Sequence, residues 1–259
     1  MSGANVLSVE TVDGVRILTI DRPEKRNALN AAVRTALSEA LTTADTDPAV
    51  RVVVFTGAGD QAFVAGADVS EFAGRTPLEQ REAMRAGLFD DVWNFQKPTI
   101  AMINGYCLGG GCELALACDL RIGADSAKLG QPEVRLGIIP GGGATQRLPR
   151  LVGYGKALQL VLTGEVVDAV SAYEIGLLDE IVPGVELRER TLEIARSMAE
   201  KSPVTLALAK RALRAAYEMP LSAGLTYERE LFALAFATED KEEGVRAFLE
   251  KRPPEWKGR

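Results

Sequence analysis

Strand and helix signals alternate along roughly the first 190 residues and then give way to helices alone, which predicts an α/β domain followed by a C-terminal helical region. Three observations carry this. Short alternating or β-branched apolar runs recur, and most are followed by apolar residues at helical spacing. The pattern switches at Val182-Pro183-Gly184. Beyond it lie four helix-length segments separated by Ser202-Pro203, Met219-Pro220 and Thr238-Glu239-Asp240.

Residues 5–10 and 15–21 alternate apolar and polar side chains around Asp13-Gly14, which predicts a β-hairpin. Asn30 is placed to cap a helix running to about Thr43, with Val33, Leu37 and Leu41 on one face. Residues 51–56 read as a buried strand. Thr76-Pro77-Leu78-Glu79 joins a capping box to a proline at the first helical position, and Leu88, Val92 and Phe95 continue the apolar face of that helix to Lys97-Pro98. A strand at 99–103, a small-residue helix at 112–118 and a strand at 119–122 follow. The tail helices are expected at about 186–201, 204–218, 221–237 and 241–250. In the third of these, Leu221, Leu225, Phe232 and Phe236 form an apolar stripe that either packs on its own domain or meets another subunit.

At 259 residues the chain is long enough to bury a sizeable core. No run of about 18 apolar residues could span a bilayer. Residues 1–5 show neither the basic nor the apolar region of a secretory signal, so a cytoplasmic protein with no membrane partner is expected. Cys107, Cys112 and Cys118 lie in an apolar stretch with no Cys-x-x-Cys spacing, which points to buried reduced thiols. A net charge of −6 argues against a nucleic-acid partner. The chain has no histidine, which removes Ser-His-Asp and Cys-His nucleophilic machinery, histidine-based zinc sites and imidazole proton shuttles together. An enzyme of this composition must work with carboxylates and backbone dipoles.

Three segments could carry such chemistry. Ala65-Gly66-Ala67-Asp68-Val69 is a small-residue turn that permits close approach of a ligand, or a plain connector. Asn104-Gly105-Tyr106-Cys107-Leu108-Gly109-Gly110-Gly111-Cys112-Glu113 sets a glycine run at a helix N-terminus, where amides face an approaching anion, and matches neither G-x-G-x-x-G nor the phosphate-binding P-loop. Glu113 either complements that helix dipole or is a functional carboxylate among apolar neighbours. Gly130-Gln131-Pro132-Glu133 supplies a second glutamate twenty positions later, which is a solvated loop residue or the partner of the first. If the two converge on one water, their repulsion keeps one protonated near neutral pH and yields an acid and a base.

Together with Asp21-Arg22-Pro23, Asn27-Ala28-Leu29-Asn30, Thr145-Gln146-Arg147-Leu148, Leu162-Thr163-Gly164 and the tail from Phe236 to Arg252, these segments resemble the enoyl-CoA hydratase/isomerase (crotonase) family over nearly the whole chain, closest to its hydratase branch. The resemblance implies a crotonase-like spiral of ββα units, with the active site in a core over residues 1–190 and a helical region over 191–259 that closes the acyl-CoA site and builds a homotrimer or homohexamer. It implies hydration of a 2-trans-enoyl-CoA by Glu113 and Glu133, with the Ala67 and Gly110 amides as oxyanion hole and Gly141 positioning the water. Arg26, Ala28, Ala65, Asp68, Val69 and Leu108 would line the coenzyme A and acyl path, and residues 71–85 would form part of the acyl wall. No metal or cofactor is implied, coenzyme A being part of the substrate. Double-bond isomerisation, another crotonase-type reaction and a non-catalytic RNA-binding role are the competing expectations. Ser70, where many relatives carry Lys or Arg, and Ala144, where glycine is common, depart from the family pattern.

Overall fold

The computed structural model describes residues 6–84 and 87–259. Asn5, at the start of the predicted hairpin, and Arg85, at the end of the predicted acyl wall, lie outside the described residues. The hairpin pairs β1 (Leu7–Val12) with β2 (Val15–Ile20), Val12 opposite Val15. Asp13 and Gly14 both take positive φ, the two-residue geometry that matches the twist of the flanking strands. Helix α1 (Ala31–Thr46) is capped as predicted, the Asn30 side chain accepting from the Val33 amide, and runs one turn further than the sequence suggested.

The chain then repeats one unit. Strand β3 (Val52–Gly57) leads to β4 (Ala62–Val64) and the helices α2 (Pro77–Ala83) and α3 (Leu88–Asn94). Strand β5 (Thr99–Ile103) leads to β6 (Tyr106–Leu108) and α4 (Gly110–Ala117). Strand β7 (Leu120–Ala124) leads to β8 (Lys128–Gly130) and the helices α5 (Ala144–Val152) and α6 (Tyr154–Thr163). β9 (Val166–Asp168), α7 (Ala169–Glu174) and β10 (Glu180–Val182) complete two sheets, ordered β1-β2-β3-β5-β7-β10 and β4-β6-β8-β9. Successive units add parallel strands to both sheets, so the core is the expected spiral of ββα units.

Strand β3 shows why its sequence is apolar throughout. Val53 and Phe55 join the inner core with Val33, Leu37 and Leu41 of α1 and Leu114 of α4. Val52 and Val54 join a second cluster with Leu187, Leu192 and Ala195 of α8 (Leu187–Ala199). Both faces are covered, and each such side chain contributes roughly 1.5–3 kcal/mol on burial. The expected boundary between 190 and 191 falls inside α8, whose apolar face completes the packing of the large sheet. The tail continues as α9 (Pro203–Glu218), α10 (Leu221–Ala235) and α11 (Glu239–Glu250).

The single helix expected from residue 77 to 95 is instead two. The capping box forms, the Thr76 hydroxyl accepting from the Glu79 amide, but α2 stops at Met84 and α3 restarts after Gly87 in extended backbone. Glycine is the poorest helix former after proline, and the apolar stripe of Leu88 and Val92 is buried from the second helix. The stripe of α10 is not covered by its own chain: Leu221 is 79 % and Phe232 66 % exposed. All three cysteines are buried and free. No helix of the described residues is long and apolar enough to cross a membrane.

Candidate active site

The two glutamates are brought together by neighbouring strands of the small sheet. β6 and β8 pair in parallel with Leu108 opposite Gly130, so α4, leaving β6, and the 3-10 turn Pro132–Leu136, leaving β8, begin side by side. The Gly109 amide donates to the Gly130 carbonyl at 2.9 Å, and Gly109 takes φ 50°, ψ −123°, a conformation that favours glycine. A β-carbon at Gly109 would also lie 3.0 Å from Glu133 Oε1, so the carboxylate of the second segment rests against the helix start of the first.

Glu113, in the first turn of α4, is 4 % exposed. Its Oε1 accepts hydrogen bonds from the Gly142 amide at 2.6 Å and the Ala144 amide at 3.1 Å. Burial raises its pKa, while the amides of Ala144 and Gly142 and then the Arg147 charge pull the other way. Glu133 is half-buried and its pKa is pushed up to about 7, by burial first and by the charge of Glu113 as well, its own backbone amide opposing. One carboxylate is thus gripped by backbone donors and the other sits at the edge of protonation near neutral pH, as a converging pair requires. The Gln131 amide, fully buried, faces Glu133; with its nitrogen toward the carboxylate it donates to both oxygens, at 3.0 and 3.1 Å.

Two backbone amides face the same space. Leu29 bridges in parallel to Ala67, using the Gly66 carbonyl (2.9 Å) and the Asp68 amide (2.8 Å). That pattern turns the Ala67 N–H away from Leu29, and a β-carbon at Gly110 would lie 3.5 Å from the Ala67 nitrogen. Gly110 is the first residue of α4, where amides have no partner one turn back. These groups line a cavity of about 340 Å³ together with Ala65, Val69, Glu113, Glu133 and Gly141. Phe72, Ala83, Met84 and Phe89 form an apolar wall, which includes part of the predicted 71–85 stretch, and Arg34 and Arg75 line it as well.

Four of the residues expected along the coenzyme A path are not in that lining. Arg26, with φ 50°, stands over the Tyr106 ring and borders a separate small cavity beside Gly59 and Asp60. The Ala28 carbonyl accepts from Arg22 at 2.7 Å, and Leu108 lies in β6. The Asp68 carboxylate is engaged by Ser70 (2.6 Å) and Arg22 (3.1 Å), which hold its pKa below the usual range. Ser70 therefore serves as a local partner for Asp68. Ala144 fits without strain, since it begins α5 and is not among the residues with positive φ.

Sequence reasoning missed Gln131, the Gly142 and Ala144 amides, and Arg147, whose Nη1 donates to the Gly142 carbonyl at 2.9 Å. Gln131 and Arg147 both stand within the family-like motifs, but nothing in their spacing shows what they touch. Two carboxylates, two inward amides and an apolar wall on one cavity suit a substrate with an electrophilic carbonyl and a hydrocarbon chain. Among the described residues, no group of three or more Cys, Asp and Glu side chains is placed to hold a metal ion.

The chain is similar to known proteins over nearly its whole length. The family profile described as enoyl-CoA hydratase/isomerase matches residues 10–259. The chain is 45 % identical to the 2,3-dehydroadipyl-CoA hydratase of Escherichia coli over 98 % of this chain and 99 % of the relative. It is 42 % identical to the crotonyl-CoA hydratase of Syntrophomonas wolfei over 97 % of each. The crystal structure of an enoyl-CoA hydratase from Bacillus anthracis superposes with a TM-score of 0.94 at 41 % identity, covering 98 % of this chain and all of that one. The chain belongs to the enoyl-CoA hydratase/isomerase family.

Proposed function

We propose that the cavity binds a 2-trans-enoyl-CoA and adds water across its double bond to give a 3-hydroxyacyl-CoA. The observation that carries this reading is the pair of glutamates in opposed environments, Glu113 held by two amides and Glu133 with a pKa of about 7, on one cavity with the amides of Ala67 and Gly110. The thioester oxygen accepts from Ala67 and Gly110, which draws electrons toward it and leaves C3 electrophilic. Such donors are typically worth about 10²–10³ in rate each.

Water, positioned by the Gly141 amide, attacks C3 while ionised Glu113 takes its proton. The double-bond electrons pass toward the thioester oxygen, and C2 then takes the proton of Glu133. Glu113 ends protonated and Glu133 ionised, and a proton returned from one to the other by way of solvent resets the site. Positioned acid–base groups supply about 10²–10⁴ in rate. Water and the enoyl thioester account for every atom of the product, so the reaction needs no cofactor beyond the coenzyme A that the substrate carries. Ala65 and Val69 line the cavity, and the wall of Phe72, Ala83, Met84 and Phe89 receives the acyl group.

We further read the protein as cytoplasmic and as a homotrimer or homohexamer, the assembly being supported by the exposed stripe of Leu221, Leu225, Phe232 and Phe236 on the tail. Light scattering of the wild type beside Phe232→Asp checks this, with a loss of mass expected in the variant. For the chemistry, crotonyl-CoA is incubated with the protein in oxygen-labelled water. The expected product is a 3-hydroxyacyl-CoA carrying one label, whereas an unlabelled 3-enoyl isomer would favour the isomerase reading.

A further inference from the structure

Arg147 lies in α5, one turn below the start of the helix, and its side chain is only 13 % exposed. Its carboxylate neighbour Asp90, on α3, is 68 % exposed and 3.4 Å away, so it neutralises the guanidinium only weakly. A charge that is this buried and this poorly paired is costly unless it serves a purpose. Its other contacts show where it acts. Nη1 donates to the Gly142 carbonyl at 2.9 Å, and the guanidinium fills the space beside Gly143, whose φ of 112° bends the turn. The amides on either side of Gly143 are the two donors to Glu113 Oε1, from Gly142 and Ala144.

The same guanidinium stands over the Trp93 ring of α3, 4.9 Å from its centre, and Arg214 of α9 stands over that ring at 4.4 Å. Arg214 is itself paired with Asp119 at 3.0 Å, and the Trp93 ring meets Tyr217 edge-on. A continuous set of contacts therefore runs from the last two turns of the tail's α9, through Trp93 and Arg147, to the turn that grips Glu113. The charged groups facing Arg147 are Asp90 from α3, Glu113 from α4 and Arg214 from α9; those facing Glu113 are Arg147 and Glu133.

We propose that Arg147 is a positioning residue for Glu113: it fixes the Gly142–Ala144 turn in the one shape that presents both amides to Oε1, and it keeps a positive charge near the carboxylate so that the base stays ionised. The assignment rests on the hydratase reading, in which Glu113 is the base, but the geometry it concerns can be read without turnover.

The test compares Arg147→Met, Arg147→Lys and Arg214→Met with the wild type. The Glu113 carboxyl is titrated in each by isotope-edited NMR, Glu113→Gln identifying its resonance, and crotonyl-CoA hydration is measured across pH. In Arg147→Met the Glu113 midpoint moves upward, kcat falls by about 10²-fold, the cost of a misplacement of about 1 Å, and KM stays within about threefold. The limb of the kcat profile that falls with decreasing pH moves upward with the midpoint. Arg147→Lys, which keeps the charge but not the fork, recovers part of both. Arg214→Met lowers Tm without moving the midpoint. If Arg147→Met lowers Tm yet leaves the Glu113 midpoint where it is in the wild type, Arg147 merely packs α5 on α3 and the proposal fails; should Arg147→Met not fold, an unmoved midpoint with undiminished kcat in Arg147→Lys overturns it equally. If the midpoint moves but the wild type hydrates no enoyl-CoA, the hydratase reading fails and the positioning role stands.

Discussion

The Gly142 amide donates to Glu113 Oε1 at 2.6 Å, joining a residue of the α4 helix start to a turn twenty-nine positions later in the chain. Ala144 adds a second donor to the same oxygen, which leaves Oε2 to face the cavity. A base held by one oxygen and free to use the other keeps its direction while it works.

That relationship predicts the effect of a single methyl group. A β-carbon at Gly142 would lie 2.7 Å from Glu113 Oε2 and press on the Phe89 ring. Gly142→Ala should therefore lower kcat for crotonyl-CoA by about 10²-fold, and steady-state kinetics against Gly155→Ala, where a β-carbon meets nothing within 4 Å, checks it.

The environment of Glu133 predicts a pH-dependent stability. Its pKa in the folded chain is raised from 4.5 to about 7, so the folded state binds this proton more tightly than the unfolded one. The stability it lends is complete below about 4.5 and is lost as pH rises through about 7. Glu133→Gln has no such dependence. Relative to the wild type, its Tm should gain about 2–4 °C more near pH 8 than near pH 5, a span that allows for the partial exposure of the group. Differential scanning calorimetry at the two pH values reads this directly, and equal differences would contradict it.

Lys210 of α9 is partly buried, with its pKa lowered to about 8 chiefly by loss of solvent, and it pairs with Asp119 at 2.6 Å. Asp119 also accepts from the Thr99 amide and hydroxyl and from Arg214. Asp119→Ala strands two cations and two donors at once. It should cost about 3–5 kcal/mol in urea unfolding at neutral pH, whereas a surface pair such as Arg188–Glu10 should cost no more than about 1 kcal/mol when broken.

Local signals in the sequence were strong wherever the physics is local. Asn30, Asp13-Gly14, the Thr76 capping box and the β-branched run around Val53 each specify geometry within a few residues, and each forms. Strands β4, β6, β8 and β9 have three residues each, too few for an alternation to be seen, yet the register of β6 against β8 is what joins Glu113 to Glu133. Spacing could therefore supply both glutamates but not their meeting. The break at Gly87 was hidden because Leu88, Val92 and Phe95 keep a helical period through it. Arg147 and Gln131 carry no local mark either, since what distinguishes them is burial against parts of the chain distant in sequence. Of the residues that the family resemblance implies, Ala67, Gly110 and Gly141 line the cavity, whereas Arg26, Ala28, Asp68 and Leu108 do not, Ala28 and Asp68 being engaged by Arg22 instead.

In the proposed reaction two carboxylates in one cavity hydrate an enoyl thioester. Loss of the conjugated-thioester absorbance of crotonyl-CoA, followed for the wild type, Glu113→Gln and Glu133→Gln, tests it most directly. Rapid loss is expected with the wild type, and rates lower by at least about 10²-fold in each variant. Wild-type rates in either variant, or no loss with the wild type on crotonyl-CoA and on longer and aromatic enoyl-CoAs, would contradict it.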